Sequence, residues 1–117
     1  MSVSTVERLR HILDEILFIG DTCGDRERED VLGDAVMRRA VVRSLEVIGE
    51  AAKNLPEDFR EQHSEIEWRK ECGIRDRLIH GYFTVNLETV WDVVTSHLHP
   101  LESVVRSALN EMVDKTE

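Results

Sequence analysis

Apolar residues recur at intervals of three and four along most of this chain, which is the spacing of a helix that buries one face. The first series runs from Leu9 to Ile19. It follows the segment Ser4-Thr5-Val6-Glu7, in which a hydroxyl and a carboxylate stand three residues apart as in a capping box. Gly20 and Gly24 interrupt the series. The pattern therefore predicts a first helix that begins at Ser4 and ends between Gly20 and Gly24.

The next part of the chain predicts a second long helix between two polar segments. Residues 25–30 are all charged and lack an apolar stripe, which favours a loop or an exposed first turn. Apolar positions then recur from Val31 to Ala52, and Pro56 stops the helix. Gly49 would allow a neighbouring helix to approach closely. Residues 57–63 are polar around one aromatic side chain, which predicts a short helical turn.

A third helix is predicted from a second capping-box pattern, Ser64-Glu65-Ile66-Glu67, to Gly81, which would end it in a left-handed conformation. Gly73 weakens this helix by about 1 kcal/mol relative to alanine, although it would permit a close helix crossing.

The fourth predicted helix has the most regular apolar pattern in the chain, from Leu87 to Met112, with Asn86 as its N-cap. Pro100 removes one backbone hydrogen bond. The helix is therefore expected to kink between Ser96 and Pro100 or to split in two.

These series predict an all-α protein, an antiparallel bundle of four or five helices in a single domain over residues 1–117. Only two prolines and six glycines punctuate the chain. No apolar run approaches the roughly 20 residues that span a bilayer, and the charged N-terminus is unlike a signal peptide. A cytoplasmic location without membrane contact is expected. Cys23 and Cys72 are expected to be free thiols, because two cysteines in a cytosolic chain are more often free than joined in a disulfide. Neither cysteine has metal-ligand spacing.

The net charge of −9 argues against a general nucleic-acid-binding surface, which should be basic. The charge is unevenly distributed. Residues 14–34 contain eight acids and two arginines, whereas residues 69–77 contain four bases and two acids. An acidic face beside a basic site also suits a protein partner with a basic surface.

The locally basic part leads into the stretch Arg75-Asp76-Arg77-Leu78-Ile79-His80-Gly81-Tyr82. A histidine can take or give a proton near neutral pH, and the planar arginine fork matches phosphate oxygens. Together they suit attack of an RNA 2′-hydroxyl on its neighbouring phosphate, with His80 moving the proton and Arg75 stabilising the developing charge. This chemistry requires no metal, and no cofactor is expected.

Arg75 and His80 would not share one face of an ideal helix, because five residues turn it by roughly 140°. Either the helix unwinds near Gly81, or two chains pair symmetrically so that one site is built from both copies. By spacing alone, such a pair is more typical of surface charges at a helix end.

The neighbouring polar residues have supporting roles in this hypothesis. Asp76 would hold Arg75 or His80, and Arg77 is either solvated or a phosphate contact. Tyr82 would contact the substrate or offer its hydroxyl for modification. His97 and His99 project to different helix faces without a carboxylate at a suitable offset, so no metal site is expected. Trp68 and Trp91 could stack on bases, but the core is favoured for Trp91.

The arginine, four residues, histidine, one residue, tyrosine pattern of Arg75, His80 and Tyr82 resembles the signature of the HepT-like toxins of the HEPN superfamily. Flanking segments extend the resemblance to nearly the whole chain, most specifically over residues 64–101. It implies a dimeric helical bundle with the motifs facing each other across the interface. It also implies a metal-independent endoribonuclease with Arg75 and His80 as the catalytic pair. The implied partner is a small nucleotidyltransferase-fold antitoxin that adenylylates a tyrosine, here Tyr82.

The position after the arginine is most often asparagine in that family, whereas this chain has Asp76. An acid there would partly neutralise Arg75 and repel RNA. The expected function is the ribonuclease toxin of a toxin–antitoxin pair. The alternative is an inactive helical module that binds and positions a nucleotidyltransferase partner, which the overall acidity favours.

Overall fold

A computed structural model describes residues 3–80 and 84–116 of the chain, with side chains over residues 4–78 and 84–112. Its elements in order are α1 (Val3–Cys23), α2 (Arg28–Leu32), α3 (Ala35–Lys53), α4 (Glu57–Gln62), α5 (Trp68–Cys72), α6 (Ile74–Leu78), β1 (Ile79–His80), β2 (Thr84–Val85), α7 (Leu87–Asp92), a π-helical segment (Val93–His97) and α8 (Leu98–Thr116). The all-α fold is confirmed, and it is consistent with a HEPN-type bundle. The single domain and the dimer stay predictions.

The core lies where α1 packs along α3 and α8. Leu9, Leu45 and Leu101 come from these three helices and are completely buried. α1 ends at Cys23, between the two glycines that were predicted to end it. Nothing requires the helix to stop at Gly20, whereas Gly24 has a φ of +41°, which a glycine adopts without steric cost.

α1 begins at Val3, one residue before the predicted start, and the Ser4 hydroxyl accepts a hydrogen bond of 2.7 Å from Arg8. The charged segment provides an exposed first turn, because α2 begins after a capping box between Glu27 and Asp30. The predicted second helix is divided. Asp34 accepts a hydrogen bond of 2.9 Å from the Met37 N–H and starts α3 as its N-cap.

The predicted third helix is shorter and broken. Ser64 does not start it, since α5 begins at Trp68, and Gly73 separates α5 from α6 with φ −93° and ψ 11°. Gly81 lies outside the described residues. The close helix approach predicted at Gly49 is confirmed, because a Cβ there would lie 3.3 Å from the Glu71 carbonyl oxygen and 3.4 Å from the Ile74 Cβ.

A small antiparallel hairpin follows α6, pairing Ile79 with Val85 and His80 with Thr84. The sequence analysis did not predict it. The Asn86 N–H extends the pairing with a hydrogen bond of 2.6 Å to the Leu78 carbonyl. The backbone of His80 is therefore extended rather than helical.

The start and the irregularity of the last helical run are both confirmed. The Asn86 side chain accepts a hydrogen bond of 3.1 Å from the Thr89 N–H, as an N-cap does. Just before Pro100 the helix adopts a π-helical turn instead of breaking. Pro100 has no N–H for the Ser96 carbonyl, and a π turn is one way in which a helix accommodates such a loss.

No helix in the described part of the chain is long and apolar enough to cross a membrane. A cytoplasmic location stays a prediction. Cys23 and Cys72 are both free thiols, as expected. Burial raises the pKa of the Cys23 thiol, which disfavours its reactive thiolate form.

Candidate active site

Arg75 lies on the short helix α6, which is held down by two apolar side chains. Ile74 and Leu78 are four residues apart and are both buried in the core, so they occupy the inner face of the helix. Arg75 and Asp76 are consequently exposed. Because Gly73 interrupts the helix, the orientation of α6 is not fixed by that of α5.

The carboxylate opposite Arg75 comes from α3. Glu46 Oε2 lies 3.7 Å from Arg75 Nε, which is longer than the 2.7–2.9 Å of a charge-assisted hydrogen bond. The Arg75 side chain is 69% exposed and that of Glu46 is 21% exposed. The pair therefore orients the guanidinium only loosely, and its remaining N–H groups stay accessible to a ligand.

Asp76 and Arg77 have separate surroundings. The structure pairs Arg75 with Glu46 rather than with Asp76, which is exposed. Arg77 is half-buried, and its charge lowers the pKa of Glu71 on α5 and of Glu67, the residue before that helix. Arg77 and Arg75 are two residues apart on α6, so their side chains lie on different sides of the helix.

The helix ends at Leu78, and the chain enters the hairpin before it reaches His80. Unwinding ahead of the histidine is one of the two geometries expected from the sequence, although it occurs before Ile79 rather than near Gly81. The side chain of His80 and the whole of Tyr82 lie outside the described part of the structure.

Arg75 lines a groove of about 560 Å³ between α1 and α3, which we call groove 1. Three arginines and three glutamates line it, and their charges balance: Arg8, Arg43 and Arg75 against Glu7, Glu46 and Glu50. His11 also lines it and is exposed. A groove with this lining can accept a polar, charged ligand beside Arg75.

Sequence reasoning missed Glu71, a carboxyl group in the core below α6. Glu71 is 4% exposed, and no hydrogen bond to its Oε2 is present among the described residues. Burial raises the pKa of Glu71 to about 7, and nearby Arg77 offsets part of that effect. The signal was available, because Trp68, Glu71, Ile74 and Leu78 follow one another at helical spacing and share the buried side.

His97 has a carboxylate partner, contrary to the sequence analysis. His97 Nε2 lies 3.3 Å from Asp92 Oδ2. Five residues separate them, which an α-helix would turn by roughly 140°. The π-helical turn between them bonds residues five apart and so brings them to one side. Among the described residues, no group of three or more His, Cys, Asp and Glu side chains is arranged to hold a metal ion.

The two tryptophans pack against the core. Trp68 is buried, its indole N–H donates a hydrogen bond of 2.9 Å to the His63 carbonyl, and its ring meets the edge of Phe59. Trp91 is partly buried against the core, as favoured from the sequence.

Comparison with known proteins identifies relatives along most of the chain. The model of the family described as "Ribonuclease HepT-like" matches residues 12–108. "Putative RNase TTE0752" of Caldanaerobacter subterraneus subsp. tengcongensis is 45% identical over 103 residues, which cover 88% of this chain and 92% of the relative. "Probable ribonuclease HepT" of Thermococcus cleftensis is 46% identical over 74 residues, which cover 63% of this chain and 67% of the relative. No solved structure matches the chain.

The matched residues include part of α1, all of α3, Arg75, the hairpin strands and the first part of α8. The resemblance inferred from Arg75, His80 and Tyr82 is thereby confirmed at the level of the family. The chain belongs to the HepT-like ribonuclease family of the HEPN superfamily.

Proposed function

We propose that this protein is an endoribonuclease that cleaves RNA without a metal ion, with Arg75 and His80 as its catalytic pair. The observation that carries the proposal is the exposed Arg75 guanidinium at groove 1, in a chain of a ribonuclease family. Its helix ends three residues later, and His80 follows in the hairpin.

The reaction that fits these groups is an internal transesterification. His80 takes the proton of a ribose 2′-hydroxyl as that oxygen forms a bond to the adjacent phosphorus. The bond from phosphorus to the 5′-oxygen breaks, and this oxygen collects a proton from water or from a second histidine. Arg75 donates hydrogen bonds to the phosphoryl oxygens as their charge develops. The products are a 2′,3′-cyclic phosphate and a 5′-hydroxyl.

The proposal includes a homodimer in which the two motifs face each other. A two-fold axis beside α6 would bring two copies of Arg75 and His80 into one cleft. Such an arrangement supplies one histidine to remove a proton and another to return one. It also gathers two copies of Arg75 in one cleft, although each chain has a net charge of −9.

We propose further that the protein acts in the cytoplasm as the toxin of a toxin–antitoxin pair. The antitoxin would be a nucleotidyltransferase-fold protein that transfers AMP from ATP to the Tyr82 hydroxyl and releases pyrophosphate. A bulky anion two residues from His80 would block RNA by occupying space and by charge repulsion. The family resemblance of the Arg75, His80 and Tyr82 pattern supports this part of the proposal.

A second function is an inactive helical module that binds and positions a nucleotidyltransferase partner. The net charge of −9 favours it, because acidity weakens non-specific RNA binding. The carboxylate of Glu46 beside Arg75 favours it as well, since it reduces the local positive charge.

Cleavage of a defined RNA by the purified protein in the presence of EDTA separates the two functions. Arg75→Ala and His80→Ala should each lower the cleavage rate by at least about 100-fold, the usual effect of losing a transition-state donor or an acid–base group. The same substitutions should relieve growth arrest when the chain is expressed alone in a bacterial host.

Matched controls are Arg10→Ala and His99→Ala, which change exposed side chains outside groove 1 and the motif. Both should cleave at the parent rate. Equal cleavage by Arg75→Ala and the parent would refute the catalytic assignment. Absence of cleavage by the parent, with retained binding of a nucleotidyltransferase partner, would favour the second function.

A further inference from the structure

A second groove, groove 2, adjoins groove 1 on the other side of Glu46. It has a volume of about 480 Å³ and is lined by Arg38, Arg39, Val42, Glu46, Val85 and Leu87. Glu46 lines both grooves and faces Arg75, so the two meet at the candidate active site. Val85 belongs to the strand that pairs with β1, so groove 2 begins at the hairpin that contains the His80 backbone.

The floor common to both grooves is one face of α3. Arg39, Arg43, Glu46 and Glu50 follow at steps of four, three and four, which places them in a line along the helix. The two arginines are exposed and lie about 6 Å apart along the axis. Arg39 lines groove 2 and Arg43 lines groove 1, so a ligand lying in both grooves would meet both guanidinium groups.

The charge of this surface contrasts with the rest of the molecule. Five arginines and three glutamates line the two grooves, which gives them a net charge of +2: Arg8, Arg38, Arg39, Arg43 and Arg75 against Glu7, Glu46 and Glu50. Because the whole chain has a net charge of −9, the remaining residues sum to −11. A polyanion would therefore be attracted to the grooves and repelled elsewhere.

We infer that one RNA strand lies along α3 through both grooves, with Arg39 and Arg43 binding successive phosphates next to the nucleotide at Arg75. The inference takes RNA as the ligand from the proposed function. Arginine suits this role because its guanidinium fork binds phosphate oxygens and stays charged at all physiological pH values. Contacts to the backbone hold the strand without selecting its sequence.

Arg39 and Arg43 are also the arginines that can be changed without disturbing the fold. Arg38 donates a hydrogen bond of 2.7 Å to the Leu32 carbonyl and so ties α3 to α2. Arg8 donates to the Ser4 hydroxyl within α1. Exposed substitutions away from such contacts usually change stability by less than about 0.5 kcal/mol.

The test compares the double variant Arg39→Gln/Arg43→Gln with the control Arg10→Gln/Arg69→Gln. Both remove two positive charges from exposed positions, but Arg10 and Arg69 lie outside the two grooves. The binding probe is a single-stranded 2′-O-methyl RNA, which lacks the attacking hydroxyl. Its Kd is measured over a range of salt concentrations, and the oligomeric state of each protein is measured in parallel.

The double variant should bind about tenfold more weakly than the control, and its salt dependence of log K should be shallower by about 1.4, which corresponds to two lost phosphate contacts at about 0.7 each. With a cleavable RNA, the weaker binding of the double variant should raise KM rather than lower kcat. Equal Kd values for the double variant and the control would overturn the inference. A change of oligomeric state confined to the double variant would overturn it too, because the arginines would then belong to an interface between copies.

The outcomes separate this inference from the proposed function. Cleavage by the parent with equal Kd values for the two double variants would leave the proposed function standing and remove the strand path. If the parent binds the probe tightly through Arg39 and Arg43 but cleaves no RNA, the strand path is supported and the ribonuclease function is refuted. Failure of the parent to bind the probe would overturn the inference.

Discussion

Arg75 and Glu46 face each other across the junction between α6 and α3, with Nε and Oε2 3.7 Å apart. The carboxylate is more buried than the guanidinium, so it belongs to the wall of the site, and Arg75 extends from that wall towards solvent. A phosphate that binds Arg75 must therefore approach a negative charge on the opposite side. Glu46 is thus the acid that contacts Arg75, and its charge would oppose the binding of an anionic ligand there.

Glu46→Gln should raise RNA affinity. It removes the negative charge at Arg75 while keeping the size of the side chain, and the ion pair it breaks is exposed enough to contribute less than about 1 kcal/mol. The expected gain is a decrease in Kd of up to about tenfold for 2′-O-methyl RNA, corresponding to at most about 1.4 kcal/mol. Glu50→Gln, which removes a charge from the same helix face further from Arg75, is the control. Weaker binding by Glu46→Gln than by Glu50→Gln would mean that the carboxylate mainly orients the arginine.

Glu71 should make the protein less stable as the pH rises. The ordinary pKa of the carboxyl is 4.5, and the folded value is about 7. Between these values the folded state holds the proton and the unfolded state does not, so the free energy of unfolding falls with rising pH, by at most about 3 kcal/mol. The stabilisation contributed by the raised pKa of Glu71 is fully present below pH 4.5 and is lost as the pH rises through 7.

Urea unfolding of Glu71→Gln and of Glu67→Gln at pH 5 and pH 8 measures this effect. Glutamine cannot ionise, so the free energy of unfolding of Glu71→Gln should not show this fall between pH 5 and pH 8. At pH 8 this variant should be more stable than the parent. Glu67 is exposed and bonded to Lys70, so Glu67→Gln should retain the fall. The same pH dependence in the parent and Glu71→Gln would show that Glu71 ionises normally.

Gly20→Ala should stabilise the protein by about 0.5–1 kcal/mol, because alanine is preferred over glycine within a helix. Gly20 lies inside α1, and an added Cβ would have no atom within 4 Å. Thermal unfolding should show a higher midpoint. Gly24→Ala is the opposing control, since its φ of +41° disfavours alanine and should lower the midpoint. A loss of stability in Gly20→Ala would mean that position 20 is not inside a regular helix.

Asn86→Ala should cost about 1 kcal/mol of stability, the usual effect of removing an N-cap side chain. The main-chain bond from Asn86 to Leu78 would remain, so the hairpin register should persist. Asn86→Ser keeps a capping oxygen and should lose only a few tenths of a kcal/mol. Chemical denaturation of the three proteins provides the comparison. Equal losses in both variants would show that Asn86 acts through contacts other than the cap.

The sequence alone predicted the elements whose causes are local. Asn86 caps its helix because its side chain reaches an N–H three residues away, and Pro100 disturbs its helix because it lacks one backbone donor. The close approach at Gly49 was also predictable, since a missing side chain leaves room for a neighbour. Capping patterns alone did not give the correct first residues of the helices. Ser4 and Ser64 match capping patterns, yet α1 already includes Val3 and α5 begins only at Trp68.

The sequence by itself determined which residues form the buried faces, and it brought Arg75, His80 and Tyr82 into one motif, because both depend on spacing along the chain. Only the tertiary structure decided which acid faces Arg75 and which arginines share its surface. Glu46 precedes Arg75 by 29 positions, and their contact exists because α3 and α6 cross at the small residue Gly49. The ionisation of Glu71 likewise depends on how deeply the packed helices bury it, and no local pattern specifies that depth.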